Sequence, residues 1–147
     1  MSLAQGTGNP TPLGMTERVA VSKSRTTHDE GWAMTNAHDV IEELRAPTRS
    51  LRKAAPEAWA GFAQLHDAAV ADGALTARVK ELMALVVAVV KQCDGCIAYH
   101  AKAAARQGAT REEVAESLSV ALLMDGGTAT IYGPRAWAAF EEFTASV

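Results

Sequence analysis

The sequence predicts an all-α protein, a bundle of about six helices behind an irregular N-terminal tail. Apolar residues make up 48% of the 147 residues but aromatic residues only 5%, so alanine and valine dominate, as in closely packed helices. From residue 34 onward, apolar residues recur at helical spacing, and cap residues or prolines separate the segments. A βαβ pattern is absent, which argues against a thioredoxin fold around the cysteine pair.

Residues 1–33 form the predicted tail, and residues 34–147 the predicted helical domain. Gly, Ser, Thr and Pro dominate the tail, and only Val19–Val21 offers an apolar cluster. Met15 and Met34 are alternative start residues. The tail is therefore either an arm that a partner subunit orders or a segment that lies partly upstream of the native start.

Two helices are expected before residue 74. The first begins after the cap residue Asn36 and ends at Pro47, because proline interrupts helical hydrogen bonding. Pro56 fits the first turn of the second helix, which stops near Asp72 and Gly73.

The third helix is predicted to lie at the centre of the bundle. Thr76 caps it, and the residues after Glu81 are apolar nearly all round, so the helix needs cover on every side. The run Val86–Val90 also suits a strand, but no second strand is available to pair with it. Because about six short helices leave this surface incompletely covered, we expect a homo-oligomer.

Three helices complete the bundle. The fourth covers about Cys93–Gln107 and stops at Gly108, and a capping box at Thr110–Glu113 opens the fifth. Gly126–Gly127 ends the fifth helix, and Pro134 either kinks or restarts the last one. The inner face of the fifth helix is predicted to consist of Val114, Leu118, Ala121 and Leu122.

Charge and hydropathy exclude several functional classes. The net charge of −3 gives no electrostatic support for nucleic-acid binding. No apolar run reaches the roughly 18 residues of a transmembrane helix, and the N-terminus has no signal-peptide core. A cytoplasmic location is expected, where a lone cysteine pair is more often catalytic or metal-binding than structural.

The two cysteines and a histidine form a redox site in outline. At about 100° per residue, Cys93, Cys96 and His100 fall within about 60° of one another on a helix. The thiols can close a disulfide, and the imidazole can take or return a proton. If the third and fourth helices form a hairpin, Glu81 faces His100 and can orient it. The helix terminus favours Cys93 as the nucleophile and the histidine favours Cys96, so geometry leaves that choice open.

Glu81 followed after twelve residues by Cys93, then by Cys96 and His100, is a pattern with a known counterpart. Together with Glu81–Leu85 and Cys96–His100, it resembles the alkyl hydroperoxidase D (AhpD)-like branch of the carboxymuconolactone decarboxylase superfamily. The resemblance covers about Val40 to Phe143.

The resemblance implies a thiol-dependent peroxidase or disulfide reductase that needs no metal, haem or flavin. Cys96 would attack the peroxide, Cys93 would resolve, and His100 and Glu81 would relay protons. A dithiol such as a lipoyl group would be the reductant, a peroxiredoxin a partner, and a hexamer, in preference to a trimer, the assembly. Some members carry a histidine immediately before the second cysteine, where this chain has Gly95.

Four alternatives remain beside this interpretation. The cysteines could be inert buried thiols, or ligands with His100 and a carboxylate in a zinc site, although structural zinc sites usually present their cysteines on a turn. A lactone decarboxylase of the same superfamily is another, and its branch does not rely on a cysteine pair. The last is a non-catalytic protein whose disulfide changes its assembly.

Overall fold

The computed structural model describes residues 36–145, and within that range it contains six α-helices and no strand. The helices are α1 (Ala37–Ala54), α2 (Pro56–Val70), α3 (Ala77–Val90), α4 (Asp94–Arg106), α5 (Arg111–Asp125) and α6 (Ala129–Ala145). The predicted all-α class is confirmed. The tail predicted for residues 1–33 lies outside the described residues.

The core lies where α3, α4 and α6 meet, and α5 closes it. Alanine is its commonest residue, and the short side chains of Ala101 on α4 and Ala136 on α6 are fully buried. Small residues let helix backbones approach closely, so larger side chains fill only the remaining gaps. The largest fully buried side chains are Phe140, Leu85, Val89 and Val114. The alanine and valine content therefore builds the helical packing that composition predicts.

The first helix is longer than predicted. Asn36 caps α1 as expected, with its side-chain oxygen accepting the Asp39 N–H at 2.8 Å. The prediction that Pro47 ends the helix is wrong, because α1 continues through it to Ala54. An interior proline costs about 3 kcal/mol, and the packing of α1 along α4 and α6 outweighs that loss. The helix stops instead at Ala55, directly before Pro56.

The third helix is buried on one side only. Its covered side holds Glu81, Leu82, Leu85, Ala88 and Val89. On the other side, Met83 is 54% exposed and Val87 is 56% exposed. The described helices therefore cover only one side of α3, in keeping with the expectation that a single chain leaves this helix incompletely covered. Helix α2 has no buried residue at all.

The fifth helix begins as predicted. Thr110 Oγ1 accepts the Glu113 N–H at 3.2 Å, and Glu113 Oε2 accepts the Thr110 N–H at 2.9 Å, so the capping box is confirmed. Placing Leu122 on the inner face is wrong, since its side chain is 43% exposed. The buried stripe ends at Ala121, and the next residue turns by about 100° away from it.

The glycine and the proline near the C-terminal helix affect the bundle differently. Gly126 ends α5 at φ 59°, a left-handed conformation that favours glycine. Pro134 lies inside α6, which runs without a break. None of the six helices combines the length and hydropathy that spanning a bilayer requires.

Candidate active site

The cysteine pair lies at the start of α4. Cys93 is the N-cap residue, and its Sγ accepts the Cys96 N–H at 3.2 Å. The two residues are joined by a disulfide, with their Cα atoms 5.2 Å apart. Cys93 is partly buried, whereas Cys96 is exposed. Cys96 is therefore the more solvent-accessible residue of the pair.

A buried carboxylate holds the histidine that follows. Glu81 Oε2 lies 2.7 Å from His100 Nδ1, and the two side chains are 5% and 26% exposed. The contact joins α3 to α4 across the hairpin whose turn lies between Val90 and Asp94, as the sequence predicts. A carboxylate this deeply buried requires a hydrogen-bond donor, and His100 supplies it. The bond fixes the ring orientation, so Nδ1 faces Glu81 and Nε2 is left to serve another group.

Cys96 and His100 also line an open cleft of about 300 Å³. Apart from these two and one lysine, its lining is apolar. Helix α3 and the residue that follows it contribute the facing wall, which consists of Met83, Ala84, Val87, Ala88 and Lys91. Met83 and Val87 belong to the exposed side of α3 and Ala88 to its covered side, so the cleft lies where the two sides meet. A small apolar molecule in this cleft would lie against both the disulfide and the imidazole.

An ion pair anchors Asp94, one of the two residues between the cysteines. Asp94, the first residue of α4, accepts hydrogen bonds from Arg135 Nη1 at 3.0 and 3.1 Å. The Arg135 guanidinium also stacks over the Tyr132 ring, 4.8 Å from its centroid. The carboxylate suits the positive end of the α4 dipole, and α6 thereby holds the cysteine turn in place.

The four residues proposed from sequence thus lie together: Glu81 contacts His100, His100 shares the cleft with Cys96, and Cys96 is bonded to Cys93. Sequence reasoning missed Arg135, which follows Asp94 by 41 residues with no motif to link them. It also missed the cleft wall. The available signal was that apolar residues occur on both sides of α3, so that one side could line a cleft.

The part of the chain that the structure describes contains no cluster of metal-binding side chains. There, no three residues among His, Cys, Asp and Glu are grouped so that they could hold an ion.

Comparison with known proteins identifies the family. The sequence model of the carboxymuconolactone decarboxylase family matches residues 56–145, which contain α2 to α6. The chain belongs to this family. The match begins later than the resemblance near Val40 predicts, and α1 lies outside it.

Proteins similar to this family member occur in bacteria. It is 39% identical to an uncharacterised protein of Cupriavidus necator, over 71% of the chain and 93% of the relative. It is 43% identical to an uncharacterised cox-locus protein of Paracoccus denitrificans, over 55% of the chain and 73% of the relative. A crystal structure of an apo carboxymuconolactone decarboxylase family protein from Legionella pneumophila matches with TM-score 0.72 and 41% identity, covering 74% of this chain and 96% of that one.

This family member has a glycine that its first helix packs against. A Cβ built on Gly95 would meet Leu44 Cδ1 of α1 at 3.0 Å, which is closer than an ordinary contact. A histidine immediately before the second cysteine would therefore require the Leu44 side chain to shift. In this chain the Leu44 side chain occupies the space beside Gly95, and His100 supplies the imidazole of the site.

Proposed function

We propose that this protein is a thiol-dependent hydroperoxidase of the AhpD-like kind, with Cys96 as the attacking thiolate. The observation that carries the proposal is the buried Glu81 carboxylate 2.7 Å from His100 Nδ1, on the cleft that Cys96 also lines. An imidazole oriented by a carboxylate is the usual means of activating a nucleophile and of returning its proton. The disulfide supports a dithiol as the source of both electrons.

Exposure supports Cys96 as the nucleophile. Cys96 is exposed and lines the cleft, whereas Cys93 is partly buried and its sulfur accepts the Cys96 N–H. A hydroperoxide entering the cleft would meet the Cys96 sulfur first. Cys93 is then close enough to attack the product, since its sulfur needs to move little to re-form the bond.

The reaction divides into two steps before reduction. The Cys96 thiolate attacks the terminal oxygen of R–O–OH, the O–O bond breaks, and Cys96 becomes a sulfenic acid. The leaving alkoxide takes a proton from His100 and departs as an alcohol. The Cys93 thiolate then attacks the Cys96 sulfur, and the hydroxyl group leaves with a proton as water. The peroxide has gained two electrons, and the cysteine pair has lost two.

Reduction by an external dithiol closes the cycle. A thiolate of the donor attacks one sulfur of the disulfide and forms a mixed disulfide with it. The second thiol of the donor then attacks the donor's own sulfur in that bond and releases the protein thiol. Two protons and two electrons pass to Cys93 and Cys96. A lipoyl group, with two thiols in one small apolar unit, is the donor we propose, and a peroxiredoxin is a proposed partner.

The exposed apolar surface supports assembly into a homo-oligomer, with a hexamer preferred to a trimer. At the end of α5, Leu123 is 81% exposed and Met124 is 76% exposed. On α2, Phe62 is 61% exposed and Leu65 is 67% exposed. Isolated apolar side chains are normal on a surface, but neighbouring pairs of this size are typical of interfaces.

A peroxide assay with three donors tests the proposed function. Dihydrolipoamide, thioredoxin and glutathione are offered in turn with cumene hydroperoxide, and turnover is expected with dihydrolipoamide. Replacing both Cys93 and Cys96 by serine should abolish it. Peroxide turnover that survives the double substitution would contradict the proposed role of the cysteine pair. A disulfide that forms without turnover would indicate a redox-responsive protein.

A further inference from the structure

One charged side chain of the cleft has no role in the relay. Lys91 follows the last residue of α3 and lines the cleft together with Cys96 and His100. The four lining residues that belong to α3 itself are all apolar. An exposed lysine is ordinarily a solvated charge, and a binding role for Lys91 depends on whether its ammonium group already has a charged partner.

Nearby carboxylates are already occupied. Glu81 is bonded to His100 at 2.7 Å, and Asp94 is held by Arg135 at 3.0 and 3.1 Å. Among residues 36–145, no carboxylate lies within ion-pair distance of the Lys91 ammonium. Its charge is therefore available to a molecule in the cleft.

The helix register gives the cleft two different ends. Lys91 lies beside the α3–α4 turn, the end at which Cys96 also lies. Met83 precedes Lys91 by eight residues, a rise of about 12 Å along α3. A molecule that spans the cleft therefore meets an ammonium group near the reactive sulfur and apolar side chains, those of Val87, Ala84 and Met83, along the rest of the wall.

We propose that Lys91 binds a carboxylate of the substrate, so that the preferred substrates are apolar hydroperoxides that carry a carboxylate group. This inference rests on the proposed peroxidase function. The ammonium group would pair with the carboxylate, and the apolar part of the molecule would lie against α3. The peroxide group would lie at Cys96, with the apolar part of the molecule between it and the carboxylate. The chemistry is that of the thiol reaction above, and the product is the corresponding hydroxy acid.

Two matched hydroperoxides test the selectivity. Cumene hydroperoxide is neutral, and its para-carboxylated derivative differs only by the anionic group. We expect the ratio of kcat/KM for the acid to that for the neutral compound to exceed one. In Lys91→Gln this ratio should fall about twofold to fivefold, in the range of an exposed ion pair. Lys91→Arg should keep the wild-type ratio. Lys53→Gln, the same change at an exposed position of α1, should leave the ratio unaltered.

A binding measurement separates this inference from the proposed function. In reduced protein, 4-isopropylbenzoate should slow alkylation of Cys96 by iodoacetamide more than 4-isopropylbenzamide does, and Lys91→Gln should remove the difference. If that protection is found but neither hydroperoxide is turned over, the carboxylate site stands and the peroxidase function fails. Equal protection by acid and amide would overturn the inference. So would a Lys91→Gln enzyme that loses the same factor on both hydroperoxides, because the lysine would then act on the thiolate itself.

Discussion

Replacing Glu81 by Gln is the most informative single change to the relay. The substitution keeps the size and the hydrogen-bonding reach of the side chain but removes the charge opposite His100 Nδ1, at 2.7 Å. The Glu81 side chain is only 5% exposed, so water cannot replace the lost interaction. A hydrogen bond to a charged group contributes about 1.5–3 kcal/mol. If that free energy supports the protonated imidazole in the transition state, kcat/KM should fall by about 10- to 150-fold.

The assay follows hydroperoxide loss with a saturating dithiol donor, and it is paired with thermal unfolding of the same protein. Glu116→Gln, the same chemical change on the exposed side of α5, serves as the control. We expect Glu81→Gln to remain folded and to lose activity, and Glu116→Gln to retain it. A Glu81→Gln enzyme with wild-type kcat/KM would refute the reasoning, because the carboxylate would then be only a packing partner of His100.

Three further predictions concern the cysteines, the glycine between them and the surface. In Cys93→Ser, one equivalent of hydroperoxide should leave a sulfenic acid on Cys96 that dimedone labels; a sulfenic acid formed on Cys93 in Cys96→Ser would reverse the roles. Gly95→His should lower the free energy of unfolding by about 1–3 kcal/mol through its collision with Leu44, and Leu44→Ala should relieve that loss in thermal denaturation. Light scattering should return a mass well above one 15.5 kDa chain, and Leu123→Glu, at an 81% exposed position, should reduce it; a wild-type mass near 15.5 kDa would contradict the oligomer.

Local sequence signals predicted most helix boundaries. Asn36, Thr76 and Thr110 each cap the helix that they were expected to cap, because a side chain next to its own helix terminus depends little on the rest of the fold. At Pro47 the local sequence signal gave the wrong helix end. A proline's effect on its helix is decided by what the helix packs against, and that partner is α4, some 45 residues away in the chain.

The site could be predicted only as far as helical geometry reaches. Spacing placed Cys93, Cys96 and His100 on one stripe, and the hairpin register brought Glu81 opposite the histidine. Arg135 could not be found in this way, since its contact with Asp94 depends on how α6 crosses α4. The cleft was equally hidden, because an apolar stripe on α3 looks the same in sequence whether a helix or a ligand covers it.

Oxidation of the reduced protein by one equivalent of cumene hydroperoxide tests the central claim most directly. Mass spectrometry of the peptide that contains Cys93 and Cys96 and quantification of the alcohol are carried out on the same sample. The account predicts a loss of two hydrogen atoms between the two cysteines and one alcohol formed per disulfide, within the time of the first turnover. Both thiols remaining free, or a disulfide formed without a matching amount of alcohol, would contradict it.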